Sequence, residues 1–398
     1  MNSILKYGAL AVFVGATGIA HADPAETKGG ITVKTEDGRF EAKVGGRIHW
    51  DTNTFEDNDV AADSIGDRAF ASFFRRARIT LEGKAYGWTY KFENDFAGQD
   101  EDSGSGFREM WIGTKLGSSN LRIGQAKPYR AMEELTSSNE ILFMERPFSS
   151  ASGIYRQFQQ GLFLDSSGNN YGWGISAYNL KSAEDTSTSA AGAESSNDTD
   201  GLGAAGRVYF APLLSDSAVF HVGASSTYDK PQNGKALAGS VRWVGRKGPS
   251  QAMGTTTEEQ SAYGLELAGK AGPFYAQGEY VMSEFAQVTG DDQEVDTYYV
   301  QASWLITGET KPYDIKKGVF KNPKPNGAAG AWELKVRYDV IELDAAADRE
   351  VTQLGAGLNW YVNPNTRFMV EYIKGDNEPQ TGTDVSGSVI TTRAQFSF

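Results

Sequence analysis

The chain has 398 residues, a net charge of −13, 39% hydrophobic residues and a mean hydropathy of −0.44. The acidic balance argues against non-specific nucleic-acid binding, the lack of cysteine excludes disulfide and thiolate chemistry, and three histidines leave little material for a metal site. Abundant Gly, Tyr, Phe and Trp favour strands and turns over helices.

In chain order, the first element is an address. Lys6 precedes the apolar run Gly8 to Ala20, followed by Ala20-His21-Ala22. This predicts a signal peptide over 1–22, with a mature domain over 23–398. The run is too short for a membrane helix, which needs roughly twenty residues. No later stretch is apolar enough to cross as a helix, so any membrane role must use strands.

From Phe40 onward the polarity alternates with period two. Phe40, Ala42, Val44, Ile48 and Trp50 fall on one face, and Glu41, Lys43, Arg47, His49 and Asp51 on the other. Segments 72–85, 87–97, 107–116, 120–126, 158–165, 171–180, 203–211, 218–228, 261–270, 274–286, 296–307, 331–343, 350–362, 366–376 and 388–398 repeat the pattern. Residues 236–245 resemble a further strand, but placing them inside a long loop keeps the alternation of short turns and long loops. The 308–330 connection is the exception, being long yet on the short-turn end. The expected fold is all-β: a transmembrane antiparallel β-barrel of about 16 strands, apolar outside and polar inside. The last strand, "VITTRAQFSF", alternates to a terminal phenylalanine, which resembles the assembly signal of bacterial outer-membrane proteins. A secreted sandwich or β-helix is the competing architecture.

A barrel of that size leaves an aqueous channel, so function lies in the lumen charges and in any inward loop. Candidate inward bases are Lys43, Arg47, Arg76, Arg78, Lys91 and Arg122, and candidate acids Glu41, Asp51, Glu82, Glu93 and Asp95. The segment 127–157 is long and unusually apolar. Leu135, Ile141, Leu142, Phe143, Met144 and Phe148 require a surface to pack against, which predicts an inward constriction loop carrying Lys127, Arg130, Glu134 and Asn139. Loop 229–260 holds Lys230, Lys235, Arg242, Arg246 and Lys247 before Glu258, a basic entrance for anions if it bends into the mouth. Loop 181–200 is small, polar and acidic.

Six stretches in order resemble the phosphate-selective porins, the O/P porin family: "KVGGRIHWDTNTF" (43–55), "FFRRARITLEGKAYGWTYKFENDFA" (73–97), "ELTSSNEILFMERP" (134–147), "RVYFAPL" (207–213), "YGLELAGKAGPFYAQGEYV" (263–281), and "YYVQASWLITGE" through "GAWELKVRYDVI" (298–341). The resemblance implies a sixteen-stranded barrel in the bacterial outer membrane, assembled as a homotrimer. Small anions such as phosphate would be guided by an arginine ladder to which Arg47, Arg75, Arg76 and Arg146 can belong. It also implies lysines in the loop motif, where this chain has Glu134 and Asn139. Losing a lysine removes a compact cation suited to a phosphate oxygen, and a glutamate adds repulsion.

The alternatives are a general or weakly cation-preferring pore, a barrel hydrolase and a surface adhesin. A Ser/His hydrolase requires a positioned base, and neither His49 nor His221 lies in a spacing that points to a triad. Asp57, Asp59 and Asp63 lack the spacing of a Ca²⁺ loop. No cofactor, metal or nucleotide site is expected.

Overall fold

The computed structural model describes residues 30–56, 70–97, 106–150, 154–180, 201–232, 237–288, 290–344, 349–379 and 384–398. The expected signal peptide, the acidic run Asp57, Asp59 and Asp63, and loop 181–200 lie outside them.

The strands in chain order are β1 (Ile31–Lys34), β2 (Phe40–Phe55), β3 (Phe70–Ala85), β4 (Trp88–Asp95), β5 (Gly106–Leu116), β6 (Ser119–Ala126), β7 (Gln159–Ser167), β8 (Tyr171–Asn179), β9 (Gly201–Leu214), β10 (Ala218–Pro231), β11 (Leu237–Arg242), β12 (Ser250–Ala271), β13 (Phe274–Gln287), β14 (Gln293–Leu305), β15 (Tyr313–Asp314), β16 (Val319–Phe320), β17 (Ala331–Asp344), β18 (Arg349–Asn363), β19 (Thr366–Pro379) and β20 (Val385–Ser397). Eighteen join one antiparallel sheet. β1 pairs only with β2, and β11 only with β12. With those two set aside, sixteen strands close into a barrel where β2 meets β20, from Arg47↔Ser397 to Phe55↔Val389. Closure satisfies the backbone and leaves no edge facing lipid.

The alternation works as expected. Ile48, Trp50, Ile79, Leu81, Val300, Tyr338 and Leu354 are among the apolar side chains exposed on the outer wall, while their strand neighbours His49, Arg76, Thr80, Gln301, Arg337 and Gln353 are buried inside. At the short-turn end, outward aromatics stack in pairs: Trp332 on Trp360 at 5.1 Å and Phe274 on Trp304 at 6.1 Å. Such a girdle belongs at a membrane–water interface. The terminal Phe398 exchanges backbone hydrogen bonds with Gly46 in β2. A Cβ on Gly46 would lie 2.6 Å from the Phe398 ring, so only glycine admits it.

Two long connections are more ordered than the sequence indicates. Residues 237–242 do form a strand, β11, but it pairs with an extension of β12 beyond the ring, so the count of sixteen stands. Within 308–330, β15 and β16 make a small hairpin.

Candidate constriction and pore lining

Residues 127–157 fold into the barrel. A single helical turn, α1 (Met132–Leu135), and a 3-10 turn at Phe148–Ser150 are both buried, as are Ile141, Leu142, Phe143 and Met144. Irregular backbone survives burial only when every polar group finds a partner. Here wall side chains provide them. Glu279 accepts from the Glu133 amide (2.7 Å), Glu371 from Met144 (2.8 Å) and Asp339 from Phe148 (3.0 and 3.1 Å). In return Arg367 donates to the Ile141 carbonyl (3.0 Å), Lys335 to Leu142 (3.1 Å), Arg393 to Met144 (2.8 Å) and Arg337 to Glu145 (2.9 Å). β13 and β17–β20 thus clamp the loop, and across the lumen β2 and β3 reach it through Arg47, His49 and Arg75.

That opposite wall carries most of the bases expected to line the lumen. Strict alternation would send one of Arg75 and Arg76 into lipid. A β-bulge prevents this: His49 pairs with Arg76 and Trp50 with Phe74, leaving Arg75 as the extra residue. Both arginines then reach inward, Arg75 to Glu145 (2.6 and 2.9 Å) and Arg76 to His49 Nδ1 (3.4 Å). With Nδ1 accepting, His49 Nε2–H donates to Asn139 Oδ1 (2.9 Å), which ties the loop to β2.

Ion pairs run through the rest of the set. Arg47 binds Glu93 (3.0 Å) and the Ser138 hydroxyl (2.9 Å), and Arg78 binds Glu93 (3.0 Å) and Asp95 (2.7 Å). Lys91 pairs with Glu109 (2.9 Å). Arg122 faces Asp165 (3.8 Å) and lies over the rings of Trp111, Tyr129 and Phe163. In the loop, Lys127 reaches the Glu134 carboxylate (2.8 Å) and its carbonyl (2.7 Å). Arg146 lies 3.7 Å from the same carboxylate and donates to the carbonyls of Glu133 and Thr136. Burial and the Arg146 charge pull the Lys127 ammonium down to about 7 against the opposing pull of Glu134. Arg130 is buried away from the water-facing surface, 3.7 Å from Asp229 and between the Tyr155 and Tyr178 rings.

Two further segments enter the lumen. Beyond β11 the chain buries Trp243 and Val244 in the same apolar cluster as Phe148, Ile154 and Tyr155 of the constriction loop. The loop therefore bends inward, which is the condition on which its basic run would offer an entrance to anions. Arg242 is exposed and donates to the Gly248 carbonyl (3.2 Å), Arg246 is half-buried, and Lys247 lies over the Phe73 ring at 5.0 Å. From the opposite end, the 308–330 connection rises inside the barrel. Arg207 donates to the carbonyls of Lys317 (2.7 Å) and Gly318 (2.8 Å), and Tyr313 donates to His221 Nδ1 (2.6 Å). Asn322 bridges to the Asn139 carbonyl (2.6 Å) at the constriction loop. A cleft beneath that contact includes Lys316, Lys321, Lys324 and Arg367.

Arg108 on β5 and Arg207, Lys335, Arg337, Arg367 and Arg393 on later strands add buried or half-buried bases beyond those expected from the sequence. The signal was present. "ELKVRYD" (333–339) and "TRAQF" (392–396) alternate as cleanly as β2, and each charge on their inner face touches a loop.

The chain resembles known proteins over most of its length. Residues 42–398 match the family model of phosphate-selective porins O and P. Porin O of Pseudomonas aeruginosa is 29% identical, the match covering 94% of this chain and 92% of that protein. Among solved structures, an anion-selective porin from Comamonas acidovorans superposes with a TM-score of 0.58 at 13% identity, over 90% of this chain and 99% of that one. The trimer form of OmpT from Vibrio cholerae gives 0.55 at 12% identity, over 90% and 99%. The barrel fold is thus shared over most of its length with outer-membrane porins, and the family model spans residues 42–398. The chain belongs to the family of phosphate-selective porins O and P.

Proposed function

We propose that this outer-membrane porin passes small inorganic anions, phosphate among them, and that it works as a homotrimer without catalysing a reaction. The observation that carries the reading is the depth at which opposite charges lie. The side chain of Arg47 is 14% exposed against 3% for its partner Glu93. Arg78 stands at 10% over Glu93 and Asp95 at 3% and 4%, and Arg108 at 28% over Asp95. Lys127 and Arg146, at 15% and 11%, cover Glu134 at 2%. In these pairs cations front the water and carboxylates stand behind them, whereas Lys91 and Arg122 lie level with Glu109 and Asp165. Such a layer can hold a positive potential in the lumen although the whole chain is acidic. Glu134 neutralises its two cations from behind and does not face the solute.

The anion path on this reading follows Arg47, Arg75, Arg76, Arg78, Lys91 and Arg122 along the wall, with Lys127 and Arg146 opposite and Arg242 and Arg246 at the mouth. Arg130 supports the loop, and Asn139 fixes its tip. The two described histidines are occupied by Arg76, Asn139, Glu266 and Tyr313, which supports a channel over a hydrolase. The family match and the trimeric OmpT likeness support the outer-membrane trimer.

The test replaces one ion at a time during bilayer recording. Exchanging chloride for a bulky organic sulfonate is expected to abolish most of the current, whereas exchanging potassium for choline leaves it largely intact. The reverse pattern overturns the reading.

A further inference from the structure

The layered order has exceptions, such as Glu109 at 23% against Lys91 at 19%, and Glu145 departs from it furthest. Glu145, in the constriction loop, is 26% exposed, while its partners Arg75 and Arg393 are 16% and 0% exposed. Its side chain is the most exposed of the three. Arg75 holds it through Nε (2.6 Å) and a terminal nitrogen (2.9 Å), the fork geometry with which arginine grips carboxylates and phosphates. Arg393 adds a contact at 3.3 Å while bound to Asp51 through two bonds of 2.7 Å. Arg76 is buried with its Nε unpaired, and its charge bears on the same carboxylate.

Burial alone would raise the Glu145 carboxyl, but Arg75, Arg76 and Arg393 bring it well below the usual range. Three cations therefore converge on one loop carboxylate, and one of them carries a buried donor without an acceptor. The backbone on either side is fixed. The Met144 amide is held by Glu371, the Met144 carbonyl by Arg393 and the Glu145 carbonyl by Arg337. Only the Glu145 side chain is left to move, by a change of rotamer.

We propose that Glu145 is a tethered stand-in for a permeating oxyanion: it occupies a guanidinium cradle of Arg75, Arg76 and Arg393 in which a tetrahedral oxyanion, sulfate or phosphate, binds once the carboxylate swings aside. This rests on the anion-channel reading and adds a site to it. A built-in competitor weakens the cradle for every passing anion, which favours flow over capture. Removing it withdraws the carboxylate from the fork of Arg75 and from the charge of Arg76.

The experiment records chloride current through wild-type and E145Q channels while sodium sulfate is titrated, with the zero-current potential in a KCl gradient measured alongside. E145Q is expected to lower the half-blocking sulfate concentration by about tenfold or more, and R75Q in the E145Q background to reverse that gain. If E145Q gives no channels, E145D keeps the charge but withdraws the carboxylate by one methylene, and a shift of about two- to fivefold is expected. A chloride-selective wild type whose block is unchanged in E145Q or E145D overturns the cradle and leaves the anion channel standing. A cation-selective wild type overturns both.

Discussion

At the residue scale, the pore is built from charges that are almost all partnered. Period-two alternation alone put Arg47, Arg76, Arg78, Lys91 and Arg122 inside, and they are inside. Arg75 could not be placed that way, because its position depends on a bulge that the local pattern does not announce. Partners were harder still: Glu93 serves both Arg47 and Arg78, and no spacing along the chain reveals that. Lys127 offers a direct pH test. With its ammonium brought down to about 7, it is charged below that pH and neutral above it. The layer around Glu134 thus loses one positive charge as pH rises. Anion selectivity is predicted to weaken between pH 6 and 8, read as a falling zero-current potential, and K127R, which stays charged, to flatten the curve.

At the element scale, the constriction loop announces its burial through its apolar residues but not its docking site. The run Ile141–Met144 predicts an interior position, and each of its side chains is buried. The clamp lies some two hundred residues away, on strands whose charges could equally have served as free pore lining. Glu371 is the most exposed test of that clamp, since it holds both the Met144 amide and Lys335 (2.5 Å). E371A leaves Lys335 buried without its acid, so a loss of about 3–5 kcal/mol is expected in detergent unfolding. The same variant should raise single-channel conductance as the loop loosens. The mouth loop makes an independent case. Trp243 is buried against Gly375, where an added Cβ would come within 2.8 Å of the indole. W243A is predicted to cost about 3–5 kcal/mol and to widen the entrance, measured as increased passage of a larger anion. The sequence showed this loop's basic charge. Its inward fold depends on an apolar cluster shared with the constriction loop, which only the assembled barrel creates.

At the scale of the whole molecule, the fold was legible because two media leave a regular trace. Lipid outside and water inside impose period two on every strand, and closure imposes an even count, so that β2 begins and β20 ends at the short-turn side. The 308–330 connection broke the rule of short turns because it is itself a lumen element, bound by Arg207 and bridged through Asn322 to the constriction loop. The β2–β20 seam ends at the contact of Phe398 with Gly46. Deleting Phe398 removes two backbone hydrogen bonds and the ring that covers Gly46. Folding yield into the outer membrane is predicted to fall sharply, scored as protein protected from protease, while single-channel behaviour of the folded fraction stays unchanged.

Cations facing the water over buried carboxylates are expected to make the lumen of this acidic protein anion-selective. The most direct test is the zero-current potential of the wild-type channel in a planar bilayer under a KCl gradient at pH 6. The expected sign is that set by chloride, reduced in magnitude when Arg47 and Arg78 are both changed to Gln. A potential with the sign set by potassium would contradict it.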